Sequence, residues 1–451
     1  MIRKGFCLEM EERFVKFQDI EQRLVRENWE HIDFRSREQE LVQAVQQAVY
    51  SFAPIQRSYT KGNPIQLLDL FCGAGGTSLG FASLNKIIPA FDLLGGCDIN
   101  AVSAKTYAHN YGTLSLCEDI TKLAYEHGKL EELLECIGYC KDKPTVLIGC
   151  APCQGFSSHR KKHWCEEEDT RNSLVFAFAK IVEKIQPDVL VMENVPEFLS
   201  KRYWKYFSAA KQHFEHCGYT VKQNIYNAAA FGVPQERFRA ILIGMKKEFL
   251  LPFGYLQSGQ YKTVRDAIGT LVPVSAGVQA FGDSMHRSAA HKDSTLEVIR
   301  KVPKDGGNRP AGIGPACLEK TSGFSDVYGR LYWDRPAITI THYARNPASG
   351  RYIHPEQDRG LTAREAARLQ SFPDGFVFQG NFDDMYRQIG EAVPPQLAAA
   401  LAAHILVELL SVEPTKEQLA NSPASITEPV SSSFSSVIAG IKLKEKVITA
   451  T

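Results

Sequence analysis

Short apolar runs recur through the middle of the chain. QLLDLF (66–71), FDLLGGCDI (91–99), TVLIGC (145–150), DVLVMEN (188–194) and AILIGM (240–245) have little polar alternation. That pattern predicts strands buried on both faces. Between them, TKLAYEHGKLEELLECIG and NSLVFAFAKIVEKI place apolar residues at helical spacing. Strands alternating with helices predict an α/β fold, a doubly wound, mostly parallel sheet with helices on both faces. Ligands of such sheets bind beyond the carboxyl ends of the strands.

The flanks read differently. Residues 1–60 predict a helical extension: from Glu11 to Tyr50 charged and apolar residues alternate as in two amphipathic helices, a packing arm for the main domain. From 251 to 330 the periodicity weakens into Gly, Pro, Ser and His, which predicts a smaller, loop-rich domain. LTAREAARLQSF (361–372) is again amphipathic, with Thr362 placed to cap a helix and Glu365 three residues on. PPQLAAALAAHILVELL (394–410) opens with prolines and continues as a strong helix former. The Ser-, Thr- and Pro-rich stretch 412–451 predicts a flexible tail. There are no internal repeats.

Composition narrows this picture. A chain of 451 residues with 44% hydrophobic content can bury a large core spread over two or three domains. The formal net charge of +1 means that a nucleic-acid surface must be a local patch. No run of about 18 apolar residues suggests a membrane span, and the charged N-terminus lacks a secretory pattern. A cytoplasmic protein is expected. Its eleven cysteines are then mostly thiols. Cys136 with Cys140, and Cys150 with Cys153, form close pairs, but no matching set of metal ligands is evident, so no metal is expected. A redox role for Cys150 and Cys153 stays open on spacing alone.

Candidate chemistry gathers at the predicted strand ends. In LLDLFCGAGGTSLGF (67–81), Gly73, Gly75 and Gly76 allow close backbone approach at a helix N-terminus, either for a nucleoside-type ligand or simply for a tight turn. Phe71 offers a stacking edge. Asp98 ends the next strand, where a carboxylate can accept bonds from ribose hydroxyls, and Asp119 could bond an adenine amine; either could also be a solvated turn acid. Together they outline an adenosine site. In GCAPCQGFSSHR (149–160), Cys153 follows Pro152 directly after a buried strand. Glu193 ends the following strand and should face the same cleft, and Arg237 and Arg239, two apart at the start of a strand, should share a face.

These blocks, in this order, resemble the DNA cytosine-C5 methyltransferase family of bacterial type. The glycine block resembles its cofactor motif, GCAPCQGFS its Pro-Cys motif, ENV (193–195) its glutamate motif, and QERFR (235–239) its Gln-x-Arg-x-Arg motif. LTAREAARLQSFPDGFVF (361–378) and YRQIGEAVPPQLAAALA (386–402) resemble its two C-terminal motifs. The resemblance runs from about Gln66 to Leu410 and makes the redox reading of Cys150 and Cys153 unnecessary. One departure is Glu391, where the family often has asparagine.

The resemblance implies a Rossmann-like catalytic domain of 61–250 plus 380–411, with target recognition and a connecting motif in 251–379. It implies S-adenosyl-L-methionine as cofactor, bound by Phe71, Gly73, Gly75, Gly76, Asp98, Asp119 and Pro152. Cys153 would attack C6 of a flipped-out cytosine, Glu193 would assist at N3, and C5 would take the methyl group. Arg239 would contact the cytosine O2, and Arg237 would hold phosphate or the Cys153 loop. Gln154, Ser157 and Arg160, the last within the basic cluster His159–His163, would meet double-stranded DNA. Arg287 and Arg309, with Lys292 and Asn308, are candidates for reading the sequence. The resemblance further implies a monomer, nucleoid-associated, with a possible cognate restriction endonuclease. The transfer-RNA branch's Cys-Phe-Thr signature is missing, and a catalytically silent relative would lack the Pro-Cys or Glu-Asn-Val residues that are present here.

Overall fold

The computed structural model describes residues 34–55, 62–151, 167–315, 318, 326–431, 438, 439 and 442, without the side chains of 167–173. Five strands run parallel: β1 (Ile65–Leu70), β2 (Phe91–Asp98), β3 (Leu114–Cys117), β4 (Thr145–Gly149) and β5 (Val189–Asn194). Two more, β6 (Thr220–Asn227) and β7 (Phe238–Met245), join antiparallel, giving the order β3-β2-β1-β4-β5-β7-β6. The chain leaves β1 toward β2 and β3 and then returns to β4 on its other side. The crevice of this α/β sheet therefore opens between β1 and β4.

Alternation along the strands explains the two covered faces. Ile65 and Leu67 of β1, with Ile148 and Val191, join one core cluster, while Leu68 and Leu70, with Leu147 and Leu190, join another. The first face carries α1 (Glu38–Tyr50), α2 (Gly76–Leu84) and α12 (Pro395–Leu410), and α3 (Ala101–Tyr111), which follows β2, packs Tyr107 and Tyr111 into the same core. The second face carries α4 (Ile120–Tyr125), α5 (Lys129–Ile137), α6 (Glu167–Ile185) and α7 (Trp204–His216). The most apolar helical stretch, Phe382–Leu410, is almost wholly buried and serves as core.

Helix α12 lies close to α2 because both present small residues. A Cβ added to Gly80 would meet the Ala398 carbonyl carbon at 2.2 Å. Backbone cannot yield as a flexible side chain would. Gly80→Ala is therefore expected to destabilise the fold by about 1–3 kcal/mol, read as a lower thermal midpoint. An unchanged midpoint would mean that the helices part without cost.

The predicted packing arm is present as α1, which buries Val45 and Val49. The other predicted amphipathic helix lies outside the described residues. Arg35 grips Glu408 through two bonds of 2.7 and 2.8 Å. His404 Nδ1 lies 2.8 Å from Glu38 and its Nε2 lies 3.0 Å from the Leu250 carbonyl. Burial disfavours the imidazolium, but Glu38 and Glu408 outweigh it and hold His404 above its ordinary value. The arm is thus tied to the main core by charge as well as by apolar contact.

Among the described residues four further α-helices precede α12: α8 (Val264–Ile268), α9 (Asp293–Lys301), α10 (Ala363–Leu369) and α11 (Phe382–Glu391). The boundary of the loop-rich region needs correction. Leu251, Val264, Ile268 and Met285 belong to the main core. The satellite core is Val298, Ile299, Val302, Val327, Tyr328 and Ile353. Its loops are held by the buried Arg330 guanidinium, which donates to the carbonyls of Ile299, Val302, His354 and Gln357 at 2.8–3.0 Å. An arginine can organise several loops in this way because it has five donors in a fixed fork.

The expectation of a flexible tail also fails for its first part. After α13 (Lys416–Asn421), the Ile426 amide donates to the Gln223 carbonyl on β6 at 3.0 Å. Val430 then forms a parallel bridge with Ser200. An exposed sheet edge offers unpaired backbone groups, and here the tail covers them.

Candidate active site

The carboxyl ends of β1, β2, β4 and β5 meet the start of β7 along one edge. At the end of β1 the chain turns sharply, with Phe71 at φ 56°, Gly73 at 52° and Gly75 at 91°. The three glycines divide their work. A Cβ on Gly73 would meet nothing within 4 Å, so this glycine faces open space. A Cβ on Gly75 would strike the Tyr111 ring at 2.4 Å, and one on Gly76 would strike the Val393 carbonyl oxygen at 2.2 Å. Gly75 and Gly76 therefore serve close packing. Phe71 is half-buried against the second-face core.

Asp98 locks this turn. Its two oxygens accept from the Gly73 amide at 2.9 Å and the Asn100 amide at 2.8 Å. Desolvation raises its carboxyl pKa against those two bonds. Beside it Ile99 is 71% exposed, an apolar surface at the crevice that sequence reasoning missed. Asp119 is half-buried and caps α4 by accepting from the Thr121 amide at 2.8 Å. Below the turn, Asp69 is fully enclosed, bonded to Ser78 at 2.7 Å, and pushed up to about 7 chiefly by burial. It too was missed, because an acid inside a buried strand looks like a break in an apolar pattern.

Glu193 stands at the tip of β5. Its Oε1 lies 2.6 Å from Arg239 Nε, and the two side chains are only 13% and 12% exposed. Antiparallel pairing of β5 with β7, Asn194 opposite Ala240, brings the two charges together. The Asn194 side chain donates to the Ala151 carbonyl at 3.3 Å, at the exit of β4. Pro152, Cys153, Gln154, Ser157 and Arg160 lie outside the described residues. Cys150 follows β4 instead of lying within it, and burial pushes its thiol well up, with Glu193 and Asp69 adding to the effect.

Of the two tasks expected of Arg237, a hold on the Cys153 loop lies outside the described residues, and its interior bonds speak against the other, a DNA phosphate. Arg237 is 2% exposed and donates to the carbonyls of Ile340 at 3.1 Å, Gly390 at 3.1 Å and Ala392 at 3.0 Å. A guanidinium committed to three interior carbonyls cannot hold a DNA phosphate. It joins β7 to the α11–α12 junction instead. Next to that junction, the tilted rings of His342 and Tyr343 lie with centroids 3.8 Å apart, and Tyr343 is 52% exposed. A Cβ on Gly390 would meet the His342 amide nitrogen at 2.2 Å, so this loop sits directly on the end of α11. No periodic signal marks such a loop in sequence.

Glu391, the departure from the family pattern, closes α11 near Asp98. Desolvation and then the Asp98 charge push its carboxyl up to about 7, with Arg387 opposing. The two candidate reading arginines fall in different places. Arg287 is exposed over the Phe382 ring at 4.8 Å. Arg309 is half-buried and donates to the Ile313 carbonyl at 2.5 Å within its own turn.

Comparison with known proteins bears on this edge. Residues 65–407 match the family described as C-5 cytosine-specific DNA methylase. The chain is 34% identical over 349 residues to the type II methylase M.HgiDII of Herpetosiphon aurantiacus, covering 75% of this chain and 94% of that one. It is 37% identical over 340 residues to the type II methyltransferase M1.HphI of Haemophilus parahaemolyticus, covering 75% and 86%. Among solved structures, a prophage-encoded E. coli protein described as a candidate DNA modification methyltransferase superposes with TM-score 0.58 at 24% identity. That match spans 77% of this chain and all of the other, and speaks for the fold alone.

Proposed function

The chain belongs to the C-5 cytosine-specific DNA methylase family, and from that premise we propose that it methylates C5 of a flipped-out cytosine with Cys153 as nucleophile, Glu193 at the base's N3 and Arg239 at its O2. The enclosed Glu193–Arg239 pair carries this reading, because it stands beside the Ala151 exit that leads into Pro152 and Cys153.

Cytosine C5 is a poor nucleophile until electron density is added to the ring. The Cys153 thiolate forms a bond to C6, and the displaced electron pair makes C5 enamine-like. Glu193 holds or gives the proton at N3 as that charge develops; once C5 has taken the methyl group, the C5 proton is lost to solvent and the Cys153 thiolate is expelled from C6, which restores the ring. Arg239, placed by β7, keeps Glu193 oriented and offers a donor to O2. A duplex hides both ring carbons, so the base must leave the stack, at roughly a few kcal/mol.

The crevice residues fit S-adenosyl-L-methionine. Gly73 opens on free space, the Asp98 carboxylate sits at the tip of β2, and Ile99 offers an apolar face. Asp98 would hold the ribose hydroxyls, Asp119 the adenine amine, and the N-terminus of α2 the carboxylate. When bound, this group supplies the methyl. Glu391 adds a pH dependence. Its carboxyl is neutral below about 7 and anionic above. Affinity for the cationic cofactor should therefore rise with pH through that value, and Glu391→Gln should flatten the titration measured by calorimetry. A wild-type titration that is already flat would remove Glu391 from the site.

The partner is double-stranded DNA, read by the satellite loops, with Gln154, Ser157 and Arg160 as backbone contacts and Arg287 better exposed for reading than Arg309. Both named relatives are type II enzymes, which supports a role beside a cognate restriction endonuclease. We take the enzyme to act as a cytoplasmic monomer at the nucleoid. Incubation with methyl-labelled cofactor and either DNA or total RNA, followed by nucleoside analysis, tests the substrate. Labelled 5-methylcytosine from DNA is expected. Label confined to RNA would overturn the substrate, and no label in either would overturn the activity.

A further inference from the structure

The family match ends at residue 407, yet the described residues continue through Ser431, with Ile438 and Lys442 beyond it. The first grip of this segment is on β6. Ile426 donates to the Gln223 carbonyl at 3.0 Å, and the Gln223 amide donates to Ser425 Oγ at 3.1 Å. Its second grip is on the turn after Glu193. Val430 donates to the Leu199 carbonyl at 3.0 Å and accepts from the Lys201 amide at 3.3 Å. Ile426, Val430 and Ile438 pack on the second-face core. Its third grip is Lys442, which lies 2.6 Å from Glu236, three residues before Arg239, and over the Phe238 ring at 6.0 Å.

These grips fall on the segments that place one ion pair. The turn Pro196–Leu199 follows directly from Glu193 and Asn194. Strand β6 pairs with β7, with Tyr226 opposite Arg239. Glu236 opens the approach to β7. We infer that residues 422–431, together with Ile438 and Lys442, are a positioning strap, which holds the Glu193 turn and the Arg239 strand in register so that the pair meets the flipped cytosine. The strap touches no reacting atom. Its effect comes through geometry, where displacement by about an ångström can cost 10²-fold in rate. The inference rests on the role given above to Glu193.

The test compares the full chain with a variant ending at Asn421. The measurements are turnover, the rate of covalent adduct formation on DNA containing 5-fluorocytosine, cofactor affinity and thermal midpoint. The strap predicts at least a tenfold fall in turnover and adduct rate with cofactor affinity within twofold, since Asp98 lies across the sheet from the strap. A peptide covering 422–446 added in trans should restore the rate. In the full chain, Val430→Pro, which cannot donate to Leu199, and Lys442→Ala should each slow adduct formation, and Lys442→Arg should not. An unchanged adduct rate in the truncated enzyme overturns the strap. So does a fall shared by cofactor affinity and midpoint that the peptide does not reverse, since that is general fold support. Glu193→Gln run beside it separates the premise: a full-rate Glu193→Gln overturns the site reading and the strap together, whereas a slow Glu193→Gln beside a fast truncation overturns the strap alone.

Discussion

Cys153→Ser should abolish methyl transfer to DNA, by roughly 10⁴-fold or more, while cofactor and DNA binding persist. Loss of a nucleophile on this scale is typical where the covalent step is the chemistry. A serine hydroxyl at neutral pH is far less nucleophilic than a thiol that is partly ionised. Among the described residues no thiol at the crevice is placed to replace it. Cys150, three residues earlier, is the nearest other thiol in sequence, but burial and the charges of Glu193 and Asp69 hold it protonated. The check is the labelled-methyl assay together with adduct trapping on 5-fluorocytosine DNA. A serine variant that still transfers methyl groups at more than about a hundredth of the normal rate would mean that Cys153 is not the attacking group.

The second large effect separates two arginines that stand two residues apart. Arg237→Ala should cost about 3–5 kcal/mol of stability, because it strips three interior carbonyls of a charged donor at once. Those carbonyls, on Ile340, Gly390 and Ala392, fix the aromatic loop and the end of α11 on which Glu391 sits. Arg239→Ala should leave the thermal midpoint near its normal value but lower turnover about 10²-fold, because it removes the cation that orients Glu193. Thermal denaturation and steady-state rates on both variants make the comparison. Equal midpoints would show that the interior carbonyls find other donors, and an Arg239→Ala enzyme at full rate would remove that residue from the chemistry.

The parts of the site that follow a strong local pattern were legible early. The glycine turn after β1, Asp98 at the tip of β2 and Glu193 at the tip of β5 each end an apolar run, so their place at the ligand edge followed from the fold class. The strands that were missed are the outer ones. TVKQNIYN of β6 alternates polar and apolar, and LSLC of β3 is short and partly exposed, because an edge strand needs no continuous apolar run. The direction of β7 was also hidden, since hydropathy carries no sign along a strand. That direction matters: it brings Arg239 against Glu193.

Buried strands and turn glycines leave a local mark, so the parallel core, its strand-end edge and the type of chemistry can be read from the chain alone. How neighbouring residues divide the work follows from packing against distant segments. Arg237 and Arg239 share a motif, yet one lies among interior carbonyls and the other faces a carboxylate. Gly73 and Gly75 share a turn, yet only one opens on free space. The segment after 411 is polar enough to read as loose, but it finds a sheet edge with unpaired backbone groups and bonds to it. In each case the deciding partner is more than twenty residues away in sequence, beyond any periodicity that the chain alone displays.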